Sequence, residues 1–130
     1  MYDLIVVGGG ASGIICAITA KARGKKVLIV DAGNFVGKKL LVTGNGKCNL
    51  TNINCNSLFY NQNIDQYLKK FDVKQTLKFF DELGLVTYYD EEGRVYPYSN
   101  SAKSVLEVLN RKLLELGVEI ETNKNVCKVE

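Results

Sequence analysis

The stretch "YDLIVVGGGASG", Tyr2–Gly13, decides the fold class of this 130-residue chain. The strand predicted over residues 3–7 is apolar from Leu4 onward, as is typical of a parallel strand that is covered on both faces. After the glycines, apolar spacing predicts a helix over residues 11–23 that Gly24 terminates. "KKVLIVD", Lys25–Asp31, predicts a second parallel strand. This β-α-β unit has the usual length of about 30 residues. The sequence therefore predicts an α/β, Rossmann-like fold with a parallel sheet and flanking helices.

Three glycines between this strand and this helix follow the pattern G-x-G-x-x-G. Gly8 permits the tight turn out of the strand, Gly10 lets a pyrophosphate approach the backbone, and Gly13 lets the helix pack closely. The backbone N–H groups at the helix start, including those of Ala11 and Ser12, are expected to face the phosphates, aided by the helix dipole. These five residues are predicted to bind a dinucleotide.

An acidic residue, Asp31, closes the second strand 18 residues after Gly13. A carboxylate there can accept both ribose hydroxyls and disfavours a 2′-phosphate, which argues against NADP at this site. Asp31 and the following Ala32 are therefore added to the predicted site. The alternative is a glycine-rich turn in an unrelated α/β protein, with Asp31 as a capping or surface acid.

The remainder of the chain is less regular at first. Residues 32–63 show no clear long period, and structureless loops of that size are uncommon unless they are functional. Two helical segments are predicted after Ile64, and "LVTYYDEEGRVYPYS" predicts a β-hairpin that pairs residues 86–89 with 94–96.

A long helix is predicted near the end of the chain, capped by Ser101 and running to Leu116. Five of its residues are expected to face inward: Val105, Leu106, Leu109, Leu113 and Leu114. Strands are predicted at residues 118–121 and again from about Asn125.

The long loop Gly37–Asn52 bears on the choice between FAD and NAD. An NAD-type Rossmann half continues through short connections, whereas this chain inserts the loop soon after Asp31. FAD is larger, and its flavin end needs protein groups beyond the first β-α-β unit. The sequence thus favours FAD. An NAD-binding dehydrogenase half and a non-catalytic nucleotide-binding module remain as alternatives.

The loop "GKKLLVTGNGKCNLTN" resembles that of the BaiN-like FAD-dependent oxidoreductases, a family that includes aminoacetone oxidases. Lys38 and Lys47 stand where the family has arginine, Thr43 where it has serine, and Asn45 where it has glycine. A second segment, "GRVYPYSNSAKSVLEVL", is also similar to the family pattern. The positions that match in the loop are Gly37, Lys39, Leu40, Gly44, Gly46, Cys48, Asn49, Thr51 and Asn52.

The resemblance implies a flavoprotein fold of the two-dinucleotide-binding type with bound FAD. It implies that residues 1–130 are the N-terminal part of the FAD-binding domain, without the substrate domain and the C-terminal FAD half. The full-length enzyme would move a hydride or electron pair to or from a small organic substrate, with NAD(P)H as a candidate electron donor. The 130 residues alone are expected to be inactive, and no catalytic residue is assigned.

The resemblance also implies roles for residues of the loop. Lys39 is expected to pair with the pyrophosphate or hold the loop over the ribitol. The backbone around Thr43 is expected to run close to the flavin ring. Cys48 is either a redox thiol or, as we favour, a packing residue, because it has no C-x-x-C partner. Val126 is expected to lie on a strand beside the adenine. The predicted cofactor residues of this group are Lys39, Leu40, Thr43, Gly44, Gly46, Cys48, Asn49 and Val126.

Several classes of function are excluded by composition. The chain has no histidine, so Ser-His-Asp and Cys-His mechanisms are absent and no metal site is predicted. A net charge of +3 with scattered lysines predicts no nucleic-acid partner. No signal peptide or membrane span is recognisable, which predicts a cytoplasmic protein without a membrane partner. The oligomeric state stays open.

Overall fold

The computed structural model describes residues 1–129. Two short 3₁₀ segments occupy the long loop region, at Lys38–Gly46 and Ser57–Phe59. The helices are α1 (Ala11–Ala22), α2 (Asp65–Leu68), α3 (Val73–Glu82) and α4 (Ala102–Leu116). The strands are β1 (Leu4–Val7), β2 (Val27–Val30), β3 (Thr51–Asn52), β4 (Thr87–Tyr89), β5 (Arg94–Pro97) and β6 (Glu119–Glu121).

A three-stranded parallel sheet with the order β1-β2-β6 organises the fold. Leu4 pairs with Val27, and Ile29 pairs with Ile120. Helix α1 packs against β1 and β2, and α4 packs against α1. The predicted Rossmann-like α/β fold with flanking helices is confirmed.

The core lies on the side of the sheet that α1 covers. Ile14 and Ala17 of α1 are fully buried against Val27 and Ile29 of β2, and Leu109 of α4 completes this cluster. Burial of each valine, leucine or isoleucine side chain in this cluster contributes about 1.5–3 kcal/mol.

The opposite side of β1 is open in residues 1–129. Ile5 and Val7 alternate with Val6 along the strand, and their exposed fractions are 54% and 59%. The prediction that this strand is covered on both faces is therefore wrong for the described residues. The physical reason is that α1 packs on the side of Val6 only, since successive side chains of a strand point to opposite faces.

Helix α4 follows its prediction except at one residue. The Ser101 hydroxyl accepts a hydrogen bond from the Lys103 N–H, and Gly117 ends the helix with a φ of +68°. Leu114 was predicted to face inward, but 82% of it is exposed. It lies about 100° around the helix from Leu113, which places it outside the buried stripe in the last turn.

The predicted hairpin is confirmed as β4 and β5, which pair Tyr88 with Tyr96. Residues 90–93 form its turn, and Gly93 there has a φ of +78°. The hairpin gains a third, antiparallel strand, β3, that the sequence did not predict. This second sheet anchors the end of the long loop.

The strand predicted from about Asn125 is absent from residues 125–129, and Glu130 lies outside the described residues. Asn123 adopts a φ of +54°, which turns the backbone away from strand geometry directly after β6. Its N–H donates to the carbonyl of Gly33, and the Lys124 N–H donates to that of Asp31. The segment is thereby tied to the end of β2 rather than to a new strand.

Candidate dinucleotide-binding site

The turn between β1 and α1 presents unpartnered N–H groups. Gly8 has a φ of +95° and donates its N–H to the Val30 carbonyl at 2.8 Å. Gly10 precedes the helix with extended backbone and provides no side-chain cap. The first bond of the helix runs from the Ile14 N–H to the Gly10 carbonyl. The N–H groups of residues 11–13 therefore have no acceptor within residues 1–129, and they can serve an anion.

Gly13 fulfils its predicted packing role. A Cβ atom at this position would lie well under 3.0 Å from the Gly8 carbonyl oxygen and 3.1 Å from Val6 Cγ1. Real Cβ atoms do not approach backbone oxygen so closely, so only glycine fits here. The close approach brings the start of α1 against the end of β1.

Gly9 has a packing role that the sequence reasoning missed. A Cβ atom there would lie 2.7 Å from the Val36 Cβ. The Gly9 carbonyl also accepts a bond from the Gly37 N–H at 2.6 Å. The run of three glycines was the available signal, but the G-x-G-x-x-G pattern leaves this position unspecified.

Asp31 binds the turn by both of its carboxylate oxygens. Its Oδ2 accepts from the Gly9 N–H and its Oδ1 accepts from the Gly33 N–H, each at 2.6 Å. A carboxylate oxygen has two lone pairs, so each oxygen retains one acceptor site for a ribose hydroxyl. The side chain thus acts as a structural clamp, and its ribose role stays a prediction.

We expect Asp31→Asn to lower the free energy of unfolding by about 2 kcal/mol. An amide has one acceptor oxygen, so one of the two N–H donors would face an NH₂ group and lose a bond to a charged acceptor, which is worth about 1.5–3 kcal/mol. Urea unfolding at neutral pH measures the change. Asp3→Asn is the matched control, because Asp3 accepts a single backbone bond, from Lys26. Equal losses in the two variants would contradict the clamp.

A cavity of about 310 Å³ opens at this turn. It brings together four of the predicted residues, namely Gly8, Gly10, Asp31 and Lys39. Positive charge from the exposed Lys38 and Lys39 adjoins the glycine turn, which suits a phosphate. The residues that line it are Gly8, Gly9, Gly10, Asp31, Gly33, Phe35, Gly37, Lys38 and Lys39.

Other predicted residues lie outside the lining of this cavity. Ala11, Ser12 and Gly13 follow it at the helix start, and Ala32 is exposed beside it. Val126 is 38% exposed on an irregular segment rather than on the expected strand. Its role beside an adenine stays a prediction. The remaining outlying residues belong to the loop: Leu40, Thr43, Gly44, Gly46, Cys48 and Asn49.

The loop backbone needs its glycines. Gly44 and Gly46 have φ values of +53° and +81°. A Cβ atom on Gly44 would lie 2.6 Å from the backbone nitrogen of Asn49. The Thr43 hydroxyl donates to the Leu40 carbonyl at 2.7 Å. These bonds and turns shape the loop, whereas its contact with a flavin stays a prediction.

Cys48 is buried and lies in the core. It is 3% exposed, adopts a φ of +62°, and donates its N–H to the Thr43 carbonyl at 3.0 Å. All four cysteines have free thiols. The burial favours the packing interpretation over the redox one.

We expect Cys48→Ala to lower the free energy of unfolding by about 1 kcal/mol, because one buried heavy atom is lost. Urea unfolding measures the change. Cys16→Ala is the control, since Cys16 is exposed. An unfolding midpoint equal to that of Cys16→Ala would contradict the packing role.

A sequence model of a protein family, described as the HI0933-like protein Rossmann domain, matches residues 2–130. The chain belongs to the HI0933-like family. The match confirms the resemblance to BaiN-like flavoproteins, a family of FAD-binding oxidoreductases.

Two curated proteins are similar in sequence to this chain. The 3-dehydro-bile acid delta(4,6)-reductase of Clostridium scindens is 42% identical over 132 residues, which cover 97% of this chain and 32% of that protein. The ribosomal RNA dihydrouridine synthase of Escherichia coli is 42% identical over 52 residues, 40% of this chain and 13% of that protein. The chain thus spans about a third of the length of the bile acid reductase.

A solved structure supports the fold of this HI0933-like domain. The open conformation of a flavocytochrome c3 fumarate reductase superposes with a TM-score of 0.66 at 19% identity, covering 99% of this chain and 28% of that one. Within residues 1–129, no helix has both the length and the apolar character needed to cross a membrane.

Proposed function

We propose that this chain forms the FAD-binding part of an oxidoreductase that reduces a C=C bond conjugated to a carbonyl group. The observation that carries the FAD site is the 310 Å³ cavity, in which the glycine turn, the Asp31 carboxylate and two lysines adjoin. The choice of reaction draws support from the two curated relatives.

The residues present fit the cofactor. The free N–H groups of residues 11–13 and the ammonium groups of Lys38 and Lys39 would hold the pyrophosphate, and Asp31 would accept the ribose hydroxyls. Gly10 leaves the approach open, because a Cβ atom there would meet nothing within 4 Å. We place the loop residues Leu40 to Asn49 at the flavin end and Val126 near the adenine. When bound, FAD supplies the exchange of a hydride or electron pair.

The names of the two relatives both describe the reduction of a C=C bond that is conjugated to a carbonyl group. A delta(4,6)-reductase of a 3-dehydro bile acid saturates double bonds conjugated to a ketone. A dihydrouridine synthase saturates the C5=C6 bond of uracil, which is conjugated to the C4 carbonyl. Conjugate reduction of a small unsaturated carbonyl compound is therefore the proposed reaction, with NADH or NADPH as the candidate electron donor.

A second candidate substrate is a uridine within RNA, because the relative from Escherichia coli modifies ribosomal RNA. The scattered lysines and the net charge of +3 favour the small molecule. The absence of a nucleic-acid partner stays a prediction. The cytoplasmic location also stays a prediction. The same is true of a substrate domain and a second FAD half elsewhere in a longer protein.

The test uses the natural protein that contains these residues. We expect purification with a flavin that absorbs near about 450 nm and is bleached anaerobically by NADH or NADPH. The bleached protein should be reoxidised by 2-cyclohexen-1-one. Affinity for NAD without a flavin spectrum would overturn the proposal in favour of a dehydrogenase half. Reoxidation by unmodified rRNA alone would assign the RNA substrate instead.

A further inference from the structure

A second, larger cavity of about 660 Å³ lies where the long loop joins the second sheet. It begins at Asn49, directly after the buried Cys48, and so continues from the segment that we place at the flavin end. We call it the asparagine cavity. Its lining residues are Asn49, Leu50, Thr51, Asn52, Asn54, Cys55, Phe59, Tyr60 and Glu92.

Three polar side chains of this cavity are free to bind a ligand. The amides of Asn49 and Asn54 and the hydroxyl of Thr51 make no hydrogen bond within the described part of the chain. Each of them can both donate and accept. By contrast, the Asn52 amide is committed, because it donates to the Glu92 carbonyl and accepts from the Asn54 N–H. The free groups match a ligand that carries carbonyl or imide functions.

Aromatic side chains form another wall. Phe59 and Tyr60 are 74% and 49% exposed, although aromatic rings of this size gain much from burial. The Asn56 side chain accepts from the Leu58 N–H and so caps the turn that presents them. The Tyr60 hydroxyl lies 3.4 Å from Cys55 Sγ, and this hydrogen-bond contact raises the pKa of Tyr60. A planar ligand could stack here.

The charge of the lining selects against anions. No lysine or arginine lines the asparagine cavity, and its one ionisable carboxylate, Glu92, pairs with Arg94 at 3.0 Å. A phosphate or carboxylate ligand would therefore find no unpaired cation among the lining residues, because Arg94 is already paired with Glu92. The lining suits an uncharged ligand.

We propose that the asparagine cavity is the site of the electron-accepting substrate and binds an uncharged, planar, cyclic carbonyl compound. The ring stacks on Tyr60 and Phe59, and its carbonyl oxygen accepts from the Asn54 amide and the Thr51 hydroxyl. The assignment as an acceptor site rests on the proposed function. The prediction that the cavity binds such a ligand is independent of the proposed function, and binding can be measured without turnover.

The experiment titrates the oxidised natural protein with 2-cyclohexen-1-one, uracil and fumarate, using saturation-transfer NMR to obtain dissociation constants. We expect the two uncharged rings to bind and fumarate to bind at least about 10-fold more weakly. Thr51→Val and Asn54→Ala should each weaken ring binding about 3- to 10-fold, as for the loss of one neutral hydrogen bond. Asn61→Ala is the matched control, because this exposed asparagine lies outside the lining.

Stacking is tested at one position. Tyr60→Ala should weaken binding about 5-fold or more, whereas Tyr60→Phe should stay within about 2-fold of the parent. Flavin content is measured in every sample. A parental protein without flavin would overturn the proposed function, and the ring titration would still test the cavity. Unchanged dissociation constants in Thr51→Val and Asn54→Ala would overturn the cavity proposal. Loss of flavin in these variants would also overturn it, because the cavity would then hold the cofactor itself.

Discussion

Gly13→Ala is expected to lower the free energy of unfolding by about 3 kcal/mol and to remove flavin binding with it. The added Cβ would overlap the Gly8 carbonyl oxygen. That oxygen belongs to backbone whose N–H is bonded to Val30, so it yields only if α1 moves away from β1. Overpacking of a closely packed site typically costs about 1–3 kcal/mol, and a backbone clash lies at the upper end. Urea unfolding measures the loss.

Gly10→Ala is the matched control for this prediction. It is the same substitution three residues earlier in the same turn, but its Cβ would meet nothing within 4 Å and its φ is −74°. The loss of a glycine at the helix start should cost no more than about 1 kcal/mol. If the urea-unfolding midpoint of Gly13→Ala equalled that of Gly10→Ala, the close packing of α1 against β1 would be contradicted.

The first β-α-β unit and α4 could be predicted because local signals agree with the tertiary structure there. Gly24 and Gly117 end the two helices with positive φ, and the Ser101 cap begins α4. The wrong predictions concern residues whose structure depends on how they pack against or bond to other segments. Leu114 is apolar but lies outside the buried stripe, and the bonds from the Asn123 and Lys124 N–H groups to the end of β2 replace the expected strand.

The candidate site also contains residues that the sequence predicted and contacts that it did not. The sequence identified Gly8, Gly10 and Asp31, because their spacing carries the chemistry. It did not show that Asp31 clamps the backbone of Gly9, 22 residues away. Nor did it show that the bond from the Gly37 N–H to the Gly9 carbonyl joins the start of the long loop to the turn. Such contacts depend on how distant segments meet, which no local pattern encodes.

The sequence did not predict the asparagine cavity, because segments that are distant along the chain form it. Its walls come from residues 49–60, which contain only very short regular elements, and from Glu92 in the hairpin turn. The short strand β3, which pairs Thr51 with Val95, brings these walls together. Two paired residues are too short a strand to leave a periodic signal in the sequence.

Gly10→Val is expected to leave the protein folded and to weaken FAD binding at least about 100-fold. A Cβ atom at Gly10 would meet nothing within 4 Å and the backbone φ there is −74°, so the free energy of unfolding should change by about 1 kcal/mol or less. The branched side chain would occupy the approach to the N–H groups of residues 11–13. Losing two bonds from such donors to a charged phosphate, at about 1.5–3 kcal/mol each, accounts for the expected factor.

Flavin absorbance per protein and urea unfolding are measured together on this variant. Cys16→Val serves as its control, because it adds a branched side chain to an exposed position of the same helix outside the cavity. A Gly10→Val protein that unfolds like the parent but lacks flavin would separate the cofactor approach from the packing role of Gly13. Flavin content equal to that of Cys16→Val would show that the pyrophosphate does not approach the backbone at Gly10.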